Sequence, residues 1–171
     1  MRNFFLGILV AMIVLVGGGL SYLLLGMLDT NADSPVGNLE RKIASRSLDA
    51  SVDRHADKAN NPVPENASAL KDGMTIYVMN CAECHGALNK KPSSLGTSLY
   101  PHAPQLIIRP LDDPEWRTFF VIKHGISRTG MPAWAKILSD EDMWKVTGFL
   151  SNLEKLPPEV QSQMPAPESA R

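Results

Sequence analysis

The two cysteines of this chain lie in one short stretch, Cys81-Ala82-Glu83-Cys84-His85-Gly86. No thiol is left over for a structural disulfide elsewhere. The spacing C-x-x-C-H is the attachment signature of a c-type haem. Two thiols three positions apart add across the two vinyl groups, and the adjacent imidazole lies under the iron as its proximal ligand. With one motif, the chain has thiols for one covalent haem c.

Two other chemistries use a C-x-x-C pair. A redox dithiol belongs in a βαβ setting, and no such pattern surrounds Cys81. A tetrahedral zinc site needs about two further Cys or His ligands at close spacing. His102 and His124 are too scattered to supply them.

The N-terminus carries a second strong signal. From Phe4 to Leu28 there is no charged residue and most positions are apolar. At a rise of ~1.5 Å per residue, a helix of this length crosses a ~30 Å hydrocarbon core. Gly17-Gly18-Gly19 interrupts the run, and glycine is tolerated in lipid-embedded helices. A cleaved signal peptide has a shorter apolar region and a small-residue cleavage site. Here the apolar run resumes at Leu20, with no A-x-A site behind it. Residues 1–28 are therefore expected to be an uncleaved transmembrane signal-anchor. Arg2 precedes the span, while Asp29 and Asp33 follow it, which places the N-terminus inside and the bulk of the chain outside.

Charge excludes one class of partner. Beyond Leu28, 16 Lys/Arg face 18 Asp/Glu. This is no basic surface for nucleic acid.

Residues 29–65 read as a polar linker with Pro35, Pro62 and Pro64. Asn38 to Ala44 has the makings of a short helix, but the stretch as a whole reads as a tether, with a root-mean-square span of roughly 30–35 Å. The compact domain is expected over residues 66–156. Ser68 is a candidate cap for a helix reaching Asn80, with Leu70, Met74 and Tyr77 on one face. Residues 87–111 hold Pro92, Pro101, Pro104 and Pro110, so they should wrap the haem edge without continuous secondary structure. Asp113-Pro114-Glu115 announces a second helix, ended by Gly125. Ser139-Asp140-Glu141-Asp142 opens the last helix, its acids complementing the macrodipole. Residues 157–171 read as a flexible tail.

A haem iron needs a sixth ligand or an open site. Met131 is the leading candidate, 46 positions after His85 in Thr129-Gly130-Met131-Pro132-Ala133-Trp134. A thioether is a soft ligand that needs no deprotonation. His102, His124 and an open iron are the alternatives. Met74 and Met79, on the helix before the motif, are expected to pack.

The ordered set Gly73-x-x-x-Tyr77, Cys81-x-x-Cys84-His85-Gly86, Lys123-His124-Gly125-Ile126 and Thr129-Gly130-Met131-Pro132-Ala133-Trp134 resembles the class I monohaem cytochromes c, in particular membrane-anchored bacterial ones. The resemblance covers about half the chain. It implies an all-α fold: a small cytochrome c haem domain, preceded here by the single transmembrane helix, with its first and last helices crossing beside the haem. It implies thioether bonds at Cys81 and Cys84 and iron ligation by His85 and Met131. The segment Tyr100-Pro101-His102-Ala103-Pro104 departs from short cytochromes. It would line the propionate side, with Tyr100 near the cofactor and Arg109 as a propionate partner. Trp134 would shield the haem or bond to it.

These features describe a one-electron carrier, not an enzyme. It would sit in a bacterial plasma membrane with its haem domain on the periplasmic face, between a redox protein donor and acceptor. The alternative is a fixed haem subunit of a membrane oxidoreductase complex. A haem enzyme or small-ligand sensor would require an open iron.

Overall fold

The computed structural model describes residues 1–34 and 37–166. They divide into two compact units at Ser34. No strand occurs among the described residues, so the fold is all-α as expected.

The first unit is α1, Arg2–Leu24, followed by a turn. The helix runs through Gly17-Gly18-Gly19 without a break and buries none of its residues. It is long and apolar enough to cross a membrane. Regular helix stops at Leu24 rather than Leu28, and Gly26 takes a left-handed φ of 68° in the turn that follows.

The second unit holds α2 (Asn38–His55), α3 (Ala67–Asn80), α4 (Ala82–His85), α5 (Ser94–Ser98), α6 (Glu115–His124), α7 (Asp140–Ser151) and α8 (Pro158–Gln161), with a 3-10 turn at Trp134–Lys136. Its main packing is α3 on α7. Leu70, Met74 and Tyr77 of α3 meet Met143, Val146, Phe149 and Leu150 of α7 in one core. Burying an apolar side chain of this size contributes ~1.5–3 kcal/mol. The two helices meet at Gly73, where an added Cβ would lie 2.2 Å from the Lys145 carbonyl oxygen. Tyr77 and Phe149 pack ring to ring at 5.8 Å between centroids. α6 joins through Phe119, which stacks on Trp144 at 3.9 Å with the rings 5° apart.

Helix starts follow local chemistry. Asn66, not Ser68, caps α3, its side chain accepting from the Ala69 N–H at 2.9 Å. Ser139 caps α7, accepting from the Asp142 N–H at 3.1 Å and donating to the Asp142 carboxylate at 2.7 Å. α6 opens with Pro114 as its flanking residue and no side-chain cap. Asp113 instead reaches Arg117 one turn on, at 3.1 Å.

Two stretches and one side chain differ from expectation. Within the linker, Asn38–His55 is an 18-residue helix packed on α6. Its Val52 is 2% exposed; burial of that side chain and ion pairs to Arg117 hold a segment whose composition alone favours a tether. The tail is ordered through α8, because Val160 and Leu156 fill a gap in the core; residues 167–171 lie outside the described residues. Met79 is 76% exposed rather than packed, since it falls on the solvent side of α3.

Candidate functional site

α3 runs directly into the cysteine motif. The Cys81 N–H still donates to the Tyr77 carbonyl at 2.8 Å, and α4 adds one further turn carrying Cys84 and His85. The buried Tyr77 hydroxyl donates to the Gly86 carbonyl at 2.6 Å, closing the motif back onto its own helix. The Pro-containing stretch then returns to it. The Leu106 N–H donates to the His85 carbonyl at 3.0 Å, and Gln105 Nε2 donates to the Cys84 carbonyl at 3.1 Å. That stretch is less irregular than expected: it holds α5, and Leu106 and Ile107 are buried.

His85 is fixed by its outer nitrogen. Nδ1 lies 2.8 Å from the Pro104 carbonyl oxygen. A carbonyl only accepts, so Nδ1 carries the proton and Nε2 keeps a lone pair. Burial pushes this imidazole below its ordinary pKa, partly opposed by the bond to Pro104. The neutral ring is the form that binds metal. Burial, with Cys84 beside it, pushes the Cys81 thiol up to about 12.

Met131 sits in a loop tied at three points. Its N–H donates to Thr129 Oγ1 at 3.1 Å, Thr129 Oγ1 donates to the Ile126 carbonyl at 2.8 Å, and the Ile126 N–H donates to the Met131 carbonyl at 3.1 Å. Gly125 makes the loop possible. Its φ of 65° is left-handed, and a Cβ there would come within 2.5 Å of the Pro132 carbonyl carbon.

These elements enclose a predominantly apolar cavity of about 310 Å³. Cys81, Cys84, His85, Met131 and Trp134 all line it. Tyr100 and Arg109 are not in its wall. The Tyr100 hydroxyl donates instead to Glu40 of α2 at 3.1 Å, and Arg109 is exposed. His102 borders the cavity but is exposed, with Nδ1 donating to the Leu99 carbonyl at 2.9 Å. His124 is outside the wall, its ring 4.6 Å from that of Phe120.

The donor set fits a haem c: two thiols on one turn, an oriented imidazole and a thioether, all on one apolar cavity. Among the polar residues of the wall, Thr118 stands apart. Thr118 Oγ1 is buried there and, among the described residues, is the one buried side-chain oxygen or nitrogen with no protein partner.

Other wall residues were not anticipated from sequence. Leu48, Asp49 and Val52 of α2 line the cavity, as do Arg117 and Thr118 of α6. The signal was faint. Leu48 and Val52, like Asp49 and Asp53, stand four apart and so share helix faces, but nothing local says what those faces meet.

Residues 68–150, just under half the chain, match the family model described as cytochrome C oxidase, cbb3-type, subunit III. The matched span opens in the first turn of α3 and closes within α7, taking in the cysteine motif and Met131. No curated protein matches the chain. The match implies haem c and haem-based electron transfer. What the chain carries on residues 68–150 is a cytochrome c domain.

Proposed function

We propose that this protein is a one-electron carrier with a single haem c joined to Cys81 and Cys84 and ligated by His85 and Met131. α1 anchors it in a bacterial plasma membrane, with the haem domain on the outer face. The observation that carries this reading is the meeting of all four side chains on one cavity wall. Bound haem would supply an iron that gains and loses one electron.

The chain's own residues do the rest. Pro104 fixes the His85 ring, so its Nε2 lone pair stays directed and unprotonated. Thr129 and Ile126 hold the Met131 backbone, which favours one ligand geometry in both oxidation states. Val146 and Leu150 of the core keep water from the inner wall. Trp134 lines the same cavity and would cover part of the cofactor. Arg109 and Tyr100 stand outside the wall.

Outward orientation is supported by Arg2 before the span and Asp29 and Asp33 after it. A donor and an acceptor would dock briefly, as weak redox encounters do, burying less than about 1,200 Å². The family description, an oxidase subunit, favours a second reading as a fixed subunit of a membrane oxidoreductase.

The absorption spectrum of the detergent-extracted protein, native and denatured, tests the first reading. Haem that stays with the denatured chain, plus a weak long-wavelength thioether-to-iron band in the native ferric form, is expected. Haem lost on denaturation refutes covalent attachment. Sizing of the same extract separates the two readings: a carrier runs alone, and a subunit co-elutes with other chains.

A further inference from the structure

One cation in the second unit is surrounded by acids from two places in the chain. The Arg117 guanidinium holds Asp49 at 2.5 Å through one terminal nitrogen and Asp53 at 2.9 Å through the other. Its Nε holds Asp113 at 3.1 Å. The Arg117 side chain is only 16% exposed. Asp49 and Asp53 belong to α2, while Arg117 and Asp113 belong to α6 and its approach. A single exposed ion pair holds little. A forked guanidinium that engages three carboxylates fixes geometry as well as charge.

What this clasp holds is part of the cavity. Leu48, Asp49 and Val52 line it from α2, and Val52 is 2% exposed. Arg117 and the unpartnered Thr118 line it from α6. The cytochrome c match covers residues 68–150, so the α2 side of this wall comes from outside the matched domain, while Arg117 and Thr118 lie within it. Removing α2 would take Val52 and Leu48 from the cavity edge and would open the side lined by Thr118 to water.

We propose that α2 is an intrachain cover of the cofactor cavity, and that Arg117 is a positioning residue that keeps it closed and so helps set the reduction potential. The proposal rests on the haem c reading above. A drier site disfavours the more highly charged ferric iron, so the cover raises the potential.

The test uses the full-length, haem-loaded protein in detergent and two perturbations of opposite electrostatic character. Asp49→Asn with Asp53→Asn breaks the clasp and removes two negative charges, and by charge alone it would raise the potential. Val52→Ser loosens the same helix with no change of charge. Expected for both are at least tenfold faster hydrogen exchange across α2 and a shift of about threefold or more toward ferric protein against a fixed redox mediator. Arg117→Lys keeps the charge but loses the fork, and should fall between parent and double variant in both readouts. A rise in the double variant's potential overturns the proposal, because charge and not cover would then dominate. So does faster α2 exchange with an unmoved potential, or unchanged exchange in both variants. Covalent haem in the parent is read first, from the denatured chain. Its absence removes the haem c reading itself, whereas its presence with any overturning result removes the cover alone.

Discussion

The Tyr77 hydroxyl and the Gly86 carbonyl are 2.6 Å apart and nine residues apart in sequence, joined across the whole cysteine motif. Tyr77 is fully buried and also packs against Phe149. One side chain therefore ties the motif to the crossing of α3 and α7. Tyr77→Phe keeps the ring and leaves the Gly86 carbonyl without this donor. Losing a buried partner in this way costs about 1–3 kcal/mol. Urea unfolding of the variant should show that loss in its midpoint, with little change in the slope.

The same hydroxyl gives a pH dependence of known sign. Burial first, then the neighbouring Cys81, pushes the Tyr77 phenol above its ordinary value near 10. The folded chain thus keeps a proton that the unfolded chain releases. Stability is fully present below pH 10 and declines as pH rises beyond it. In the haem-free chain the Cys81 thiol, raised from 9.0 to about 12, adds a decline that begins near pH 9. Urea midpoints from pH 8 to 11 should therefore fall more steeply for haem-free protein than for loaded protein. The Tyr77→Phe chain should lose less than its parent above pH 10.

Gly73→Ala should be costly although alanine is the better helix former. The new methyl would lie 2.2 Å from the Lys145 carbonyl oxygen, so α3 and α7 must separate. Overpacking of this kind costs about 1–3 kcal/mol. A lower melting temperature measured by circular dichroism would show it. An unchanged melt would mean that the crossing yields without strain.

Met131→Ala separates ligation from attachment. The haem should stay with the denatured chain through Cys81 and Cys84. The long-wavelength band should vanish, the potential should fall, and the ferrous protein should bind carbon monoxide. Retention of the parent potential would exclude Met131 as a ligand. His102 would then be the next residue to replace, since it borders the cavity and His124 does not.

The parts of this fold that could be read from sequence are those whose causes are local. α3, α6 and α7 announce themselves by apolar spacing and by Gly125 and Ser139 at their ends. The cysteine motif is carried by six consecutive residues, Cys81 to Gly86. α2 escaped because its stabilisation is remote. It buries only Val52, and its ion pair from Asp49 reaches 68 positions along the chain to Arg117. Val160 escaped for a similar reason: a four-residue helix behind Pro157-Pro158 looks like an ending until α3 is beside it.

The sharing of Val146 and Leu150 between the helix core and the cavity wall has a consequence for genetics. A lesion in the α3–α7 crossing and a lesion in the cysteine motif would give the same phenotype, a colourless cell fraction. A screen for lost pigment would therefore return Gly73, Tyr77 and Val146 beside Cys81 and His85. Sorting them would need the amount of chain that survives in the cell, not the colour.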